Sequence, residues 1–240
     1  MFTKIFSSQS KTITGAALII SGASLISRLV GLIRESIFAD YFGISYVMDA
    51  YYAAFKLPDL LYNLLIVGAI SAGFIPIFIR LLIKQGKDSA WRLANNIINI
   101  LGLMMLSLTI LGIIFMPKIM PYLAPGFNQA TLQLATQFGR IMFISIFILS
   151  ISMIMGTILQ SLRSLLLFSI APIFYNLGII VGIVGLVPYF GLTGIAWGVV
   201  LGALMHFGLQ TYGAYKIGFH YQFILKYYLI KYLTCLILYY

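Results

Sequence analysis

Apolar runs of more than 20 residues fill most of this chain, and short polar or turn-forming stretches separate them. The runs lack the alternation of apolar and polar positions that a transmembrane β-strand requires. A helix crosses the hydrocarbon core of a bilayer with about 20 apolar residues. The pattern therefore predicts an all-α integral membrane protein. Six predicted membrane segments span residues 13–38, 49–79, 93–115, 132–159, 165–187 and 193–215, and a partial seventh apolar segment spans residues 223–240.

The composition excludes a soluble fold. Hydrophobic residues make up 62% of the 240 residues and charged residues 8%, whereas a soluble domain carries about 25% charged residues. Six spans with short connections leave no room for a separate soluble domain. We therefore expect a six-helix transmembrane lobe over residues 1–215 and a truncated or atypical apolar segment over residues 216–240.

The formal net charge of +10 indicates contact with membrane lipids rather than with nucleic acid. The basic residues are scattered singly near segment ends, where they set topology and attract anionic headgroups. With the N-terminus in the cytoplasm, nine Lys and Arg residues at segment ends fall on that side, and Lys118 alone falls on the other. The sequence thus predicts a multi-pass protein of the cytoplasmic (inner) membrane with a cytoplasmic N-terminus. The nine residues are Lys4, Lys11, Arg80, Lys84, Lys87, Arg92, Arg163, Lys216 and Lys226.

Charged residues are crowded into the first two segments, where residues 27–59 hold seven of the chain's twenty formal charges. Arg28 has at least ten residues of the first segment on each side, and a charge at the centre of a span costs about 2.5–3.5 kcal/mol on insertion scales. Seven residues of an α-helix turn through about 700°, so Arg28 and Glu35 lie on one line. In the second segment, Asp49, Lys56 and Asn63 repeat the same spacing.

Two roles fit these charges. They could form a structural network in which Arg28 or Arg34 pairs with Asp49 and Lys56 pairs with Glu35, although buried ion pairs seldom stabilise better than apolar residues. Alternatively they line a substrate path, as ionisable residues within membranes commonly do. The deep positions are mainly basic, and arginine binds phosphate with two parallel hydrogen bonds, so an anionic substrate is expected.

Other residues add local expectations. Pro58 predicts a kink or a loosened turn in the second segment, which a moving gate could use. Arg140 either anchors its helix at the interface or lines a cavity, and His206 is predicted to be a packed polar residue. Glycine and serine in the first, fifth and sixth segments predict close helix packing.

The sequence offers no chemistry for catalysis. No paired acids, no cluster of metal-ligating residues and no nucleophile–base set stand out in it, and no nucleotide-binding motif is present. Cys235 is the only cysteine, which excludes an intrachain disulfide. The sequence therefore predicts a protein that is not an enzyme and that uses no metal or cofactor.

Several stretches resemble one family of membrane transporters. SRLVGLIRE, FG..Y.MDAYYAAFKLPDLL and G.ISAGFIPIF are similar to the N-terminal part of the MurJ (MviN) family, and LAPGF, APIFYNLGII and LTGIAWGVVLGA also agree. Members of this family are flippases of lipid II, the undecaprenyl-pyrophosphate-linked peptidoglycan precursor, within the MOP exporter superfamily. The resemblance implies a bundle of six transmembrane helices, one MOP-type lobe, out of the fourteen helices of the family. It also implies a central cationic cavity and transport by alternating access.

By motif position, the resemblance implies roles for specific residues. Arg28 and Arg34 would contact the pyrophosphate or hold the positive charge of the cavity. Asp49 would tie the first two segments together near the outer side. Lys56 lies in the matching FKLP stretch, and Glu35 and Asn63 complete the candidate cavity residues.

Two departures from the family keep alternatives open. Tyr62 and Asn63 stand where the family commonly has a basic pair, so one expected cavity arginine is absent. The similarity also covers the first lobe alone, so a second lobe or a homodimer partner would have to complete the cavity. The alternatives are another polysaccharide-lipid flippase or a multidrug antiporter of the superfamily, or a non-transporting fragment or scaffold.

Overall fold

The computed structural model describes residues 13–64 and 73–225, and helices form nearly all of that structure. No strand occurs in this part of the chain, so the all-α prediction is confirmed. The helices are α1 (Ile13–Phe42), α2 (Tyr46–Tyr62), α3 (Ile75–Gln85), α4 (Lys87–Leu123), α5 (Gln129–Ser161), α6 (Leu165–Val181), α7 (Val187–Phe190) and α8 (Thr193–Lys216), and a π-helical segment (Gly182–Leu186) joins α6 to α7.

Five helical stretches among the described residues are long and apolar enough to cross a membrane. They belong to α1, α4, α5, the α6–α7 stretch and α8, and they match five of the six predicted segments. The predicted second segment falls on α2 and α3, which lie on either side of residues outside the described ranges. Three features therefore stay predictions: a sixth span, a division of the chain at residue 215 and a seventh apolar segment. The seventh segment lies almost wholly outside the described residues.

Helices α4 and α5 are longer than the apolar pattern predicts. They contain 37 and 33 residues, which corresponds to about 55 Å and 50 Å at 1.5 Å per residue. The hydrocarbon core of a bilayer is about 30 Å thick. Both helices therefore extend well beyond it, because polar residues at their ends continue the helix into the interfacial region.

The alternating direction of the helices gives the bundle two ends. One end, called here the α1–α2 end, holds the connections at residues 43–45, 124–128 and 191–192. The opposite end holds Gly86, residues 162–164 and residues 217–225. Gly86 alone separates α3 from α4 with φ +84°, a conformation that costs little only for glycine.

Helix α5 forms the centre of the bundle and packs against α2, α4 and α8. Its first half contributes Ala135, Phe138 and Met142 to an apolar cluster with α2 near the α1–α2 end. Its second half contributes Ile154 and Ile158 to a second cluster with α3, α4 and α8. Helix α1 lies outside this arrangement, because it packs mainly along α6.

Pro58 does not interrupt α2. The α-helix continues through Pro58 to Tyr62, and the wider π-helical turn begins at Asn63, five residues beyond the predicted position. A proline removes one donor from the ladder but need not end a helix whose neighbours hold it in place.

Glycines bring α6 and the following π-helical segment into backbone contact with α8, as predicted for the fifth and sixth segments, whereas Gly22 of α1 has no atom within 4 Å of a Cβ position. A Cβ added to Gly198 would lie 2.5 Å from the Cα of Gly182, and one added to Gly178 would lie 2.3 Å from the Cα of Gly202. No residue larger than glycine fits at these positions without moving a helix. The small-residue pattern therefore fixes how closely these two helices approach.

Two buried asparagines of α4 hold the chain that follows α8. Asn95 accepts a hydrogen bond from the Gln222 amide at 2.8 Å and donates to the His220 carbonyl at 3.1 Å. Asn99 donates to the Gln222 and Ile224 carbonyls at 3.2 and 3.0 Å. The extended segment has no neighbouring strand in the described structure. Its main-chain groups therefore form hydrogen bonds with asparagine side chains from about one turn of α4 instead.

We expect Asn95→Ala to release this segment. The Gln222 amide would lose its acceptor, and a lost hydrogen bond of about 1 kcal/mol corresponds to about fivefold faster exchange. Hydrogen exchange of the Gln222 amide measures the effect. Asn128→Ala is the control, because Asn128 caps α5 through Thr131 at the other end of the bundle; equal acceleration in both variants would contradict the assignment.

Candidate functional site

Arg34 joins three helices through a polar network. Its Nη1 atom donates to Asn176 Oδ1 of α6 at 2.9 Å, and its Nη2 atom is paired with Glu35. Glu35 Oε2 accepts a hydrogen bond from the Tyr52 hydroxyl of α2 at 2.7 Å. Asn176 in turn donates to the Pro172 carbonyl within α6 at 3.1 Å. Because each member is oriented by the next, the Arg34 guanidinium is held in one place.

The network is partly exposed on one side. The Arg34 and Glu35 side chains are 23% and 37% exposed, and the Tyr52 residue is 47% exposed. Arg34 lies eight residues before the end of α1 at Phe42, which is about 12 Å along the helix.

Beyond this network, few contacts join α1 to α2. Helix α1 packs along α6 and α2 packs along α5, and Phe38 contacts Tyr51 at a ring distance of 4.6 Å near the α1–α2 end. This aromatic contact joins the two helices near that end. We call the partly exposed surface of α1 and α2 that carries Arg28, Glu35, Tyr52 and Lys56 the α1–α2 groove.

Arg28 lies on the face of α1 that carries Glu35. The two residues are seven positions apart, a rotation of about 20° and a rise of about 10 Å. The Arg28 side chain is exposed, and within residues 13–64 and 73–225 it makes neither a hydrogen bond nor an ion pair. The predicted pairing of Arg28 or Arg34 with Asp49 is therefore absent from this structure, and Arg34 pairs with Glu35 instead.

Lys56 binds a main-chain carbonyl rather than the carboxylate of Glu35. Its Nζ atom donates to the Leu123 carbonyl at 3.4 Å, at the C-terminal end of α4, whereas the carboxylate of Glu35 is already occupied by Arg34 and Tyr52. The pairing of Lys56 with Glu35 is thus wrong. Carbonyls in the last turn of a helix lack intrahelical donors and attract cations.

Asp49 and Asn63 stand apart from the network. Asp49 lies exposed in the first turn of α2, and its carboxylate has no hydrogen bond or ion pair to any residue that the structure describes. The expected tie between the first two segments through Asp49 is therefore not present. Asn63 is exposed and donates to the Asp59 carbonyl one turn earlier at 2.8 Å. The functional roles of both residues stay predictions.

Two other polar residues within helices contact a neighbouring helix. His206 Nδ1 lies 2.7 Å from the Ser152 hydroxyl between α5 and α8, which agrees with a packed polar residue. Arg140 Nε donates to the Ile113 carbonyl of α4 at 3.0 Å. Arg140 also borders a polar cavity on the far side of α5.

Sequence reasoning missed Asn176, which provides the third helix of the network. It is 9% exposed and is the amide of a mainly apolar helix. A single amide in the middle of such a helix needs a hydrogen-bonding partner, because an unsatisfied polar group in lipid costs several kcal/mol. The presence of one asparagine within the mainly apolar stretch APIFYNLGII was therefore the sequence signal that could have identified Asn176.

Asn176→Leu tests the network. The replacement keeps the side-chain size but leaves Arg34 Nη1 without an acceptor, so we expect the free energy of unfolding to fall by about 2 kcal/mol. Thermal unfolding of the purified protein should show a midpoint lower by about 4–8 °C. Asn63→Leu is the matched control, because Asn63 bonds only to its own helix among the described residues; equal midpoints for both variants would contradict the network.

Known proteins share both the sequence and the fold. The family profile described as "Lipid II flippase MurJ" matches residues 38–234. A lipid II flippase MurJ of Burkholderia cenocepacia is 32% identical over 206 residues, which cover 84% of this chain and 40% of that protein. A solved structure of lipid II flippase MurJ in an inward closed conformation superposes with a TM-score of 0.72 at 27% identity, covering 88% of this chain and 44% of the other.

A more distant structure shares the fold alone. A MOP superfamily transporter from Pyrococcus furiosus superposes with a TM-score of 0.65 at 15% identity, over 90% of this chain and 46% of the other. The present chain spans about two fifths of the length of the curated relative from Burkholderia cenocepacia. With five apolar helices in its described part, it is a multi-pass protein of the inner membrane. The profile match over most of its length shows that the chain belongs to the lipid II flippase MurJ family.

Proposed function

We propose that this chain forms one lobe of a lipid II flippase and that its α1–α2 groove receives the pyrophosphate of a polyprenyl-linked peptidoglycan precursor. The observation that carries the proposal is the placement of Arg28. Its guanidinium lies near the middle of a 30-residue helix, exposed, and without a hydrogen-bonding partner in the described part of the chain.

The energetic argument concerns what Arg28 faces. An arginine at mid-membrane is unfavourable by about 2.5–3.5 kcal/mol or more unless it meets water, an opposite charge or polar groups. Glu35 on the same face is already paired with Arg34. A hydrated groove that admits a pyrophosphate would offset the free-energy cost of placing the Arg28 charge at mid-membrane, because arginine and phosphate oxygens form two parallel charge-assisted hydrogen bonds.

The exposed surface of α1 supports a second lobe as partner. Leu25, Leu29 and Leu32 surround Arg28 and are 61%, 51% and 64% exposed. A charged residue among leucines suits a surface that faces another protein lobe across a cavity better than one that faces acyl chains. Alternating access then follows when two lobes rock about the bound headgroup.

The charge asymmetry supports the orientation. The opposite end of the bundle carries Arg80, Lys84, Lys87, Arg92, Arg163 and Lys216, whereas the α1–α2 end carries Lys118. The excess of Lys and Arg at the opposite end supports a cytoplasmic N-terminus. The contact between Phe38 and Tyr51 then lies towards the outer side.

Complementation tests this proposal. A bacterium depleted of its own lipid II flippase would express this chain alone or together with the second lobe of a relative. Growth restored in the presence of the second lobe supports transport of lipid II. A chain that reaches the membrane at normal levels but restores growth in neither case would reject the proposal. Binding of polyprenyl pyrophosphate without growth would favour a flippase for another lipid-linked polysaccharide.

A further inference from the structure

An open cavity that several polar side chains line lies between α4 and α5 near the α1–α2 end of the bundle. Its volume is about 380 Å³. Its polar lining comes from α5, with one residue on almost every turn from the start of the helix inwards. These residues are Gln129, Gln133, Thr136, Gln137 and Arg140.

The cavity is separate from the α1–α2 groove. Phe138 of α5 is buried in the apolar cluster that α5 shares with Ala53 and Ala54 of α2. Arg140 lies two residues further along α5, a rotation of about 200°, and therefore on the other side of the helix. A ligand in this cavity would not contact the groove residues.

The backbone of α4 orients Arg140. Pro117 has no N–H group, so the Ile113 carbonyl four residues earlier loses its helical donor. Arg140 Nε supplies the missing hydrogen bond at 3.0 Å. Its Nη1 and Nη2 atoms make no hydrogen bond or ion pair with described residues. The guanidinium is thus anchored through one nitrogen, and its two terminal nitrogens are free to bind a ligand.

The depth of the cavity matches the headgroup boundary. A helix of about 50 Å such as α5, centred on a 30 Å hydrocarbon core, extends about 10 Å beyond it at each end. Arg140 lies 11 residues from the start of α5, about 16 Å inwards. Its backbone therefore lies about 6 Å inside the core, within the reach of a long side chain that extends towards the interface.

We propose that this cavity binds the phosphate of an anionic phospholipid from the leaflet at the α1–α2 end. The two terminal nitrogens of Arg140 bind the phosphate oxygens, which are the ligands that a guanidinium fork matches best. The amides of Gln133 and Gln137 bind the polar headgroup atoms above it. Ile110 and Ile114 of α4, 49% and 59% exposed, continue the surface towards the bilayer centre and contact the acyl chains.

Lipid retention tests the site. The purified chain would be titrated with phosphatidylglycerol, and bound lipid would be counted by native mass spectrometry. We expect Arg140→Gln to weaken binding by about tenfold, since charge-assisted hydrogen bonds to the phosphate are lost. Lys118→Gln is the matched control, because Lys118 is an exposed cation of α4 at the same end whose ammonium lies over the Phe115 ring. It should change binding by less than about twofold.

A second variant separates binding from folding. Gln137→Leu leaves the hydrogen bond between Arg140 and Ile113 intact, so its unfolding midpoint should equal that of the parent while binding weakens by about threefold. Equal retention of phosphatidylglycerol by the parent and Arg140→Gln would overturn the proposal. Equal binding of phosphatidylcholine, or displacement of the lipid by inorganic phosphate at comparable concentration, would also overturn it. None of these outcomes affects the separate proposal that the α1–α2 groove receives a pyrophosphate.

Discussion

Replacement of Arg28 by glutamine should weaken the binding of undecaprenyl pyrophosphate to this chain by about tenfold or more. The expectation follows from the loss of at least one charge-assisted hydrogen bond to the pyrophosphate, worth about 1.5–3 kcal/mol, since glutamine keeps a neutral donor. Arg28 is the guanidinium of α1 that has no partner in the described structure, so its loss removes ligand contacts without leaving a protein group unsatisfied. The unfolding midpoint should therefore stay unchanged. Titration of the purified chain, followed by native mass spectrometry, measures the binding.

The control is Arg92→Gln. Arg92 is an exposed arginine near the start of α4, where it donates to the Ser89 hydroxyl at 3.4 Å, far along the chain from the groove. Its replacement should leave the affinity unchanged within about twofold. Undecaprenyl alcohol, which lacks the phosphates, should bind the parent and Arg28→Gln equally. If Arg28→Gln bound undecaprenyl pyrophosphate as tightly as the parent, Arg28 would not contact the pyrophosphate and the groove assignment would fail.

Much of the helical architecture could be predicted from hydrophobic periodicity. Five apolar segments became helices at nearly the predicted positions, since lipid admits few other backbone conformations. The ends of α4 and α5 were missed because polar residues such as Asn128 and Gln129 continue or cap a helix without adding hydropathy. Apolar length predicts what lies in the hydrocarbon core, not how far a helix extends beyond it.

The partners of the charged residues could not be predicted from spacing. Helical periodicity placed Arg28 and Glu35 on one face correctly, because that relation is local. The contact between Arg34 and Asn176 joins residues 142 positions apart, and it depends on α1 lying along α6 rather than along α2. Likewise, Lys56 and Arg140 bind main-chain carbonyls of α4. Every residue has such a carbonyl, so the residue types in the sequence do not indicate which one accepts the hydrogen bond.

Gly198→Leu should destabilise the bundle more strongly than Asn176→Leu does. A Cβ at residue 198 would lie 2.5 Å from the Gly182 Cα and 3.2 Å from the Gly178 carbonyl oxygen. These are backbone atoms, so no side chain can turn aside, and α6 and α8 would have to separate. Overpacking of this kind costs about 3 kcal/mol or more, which corresponds to an unfolding midpoint lower by about 6–12 °C.

Gly208→Leu provides a matched comparison within the same helix. No atom lies within 4 Å of the position that a Cβ would take at Gly208, so the leucine meets open space. Glycine within a helix is less favourable than leucine by about 1 kcal/mol, and this variant should therefore be neutral or slightly more stable. We expect changes of opposite sign in the free energy of unfolding. Both substitutions change helix propensity equally, and they differ only in whether the new side chain meets a neighbouring backbone. If both variants unfolded at the same temperature, the close approach of α6 and α8 would not be what holds this lobe together.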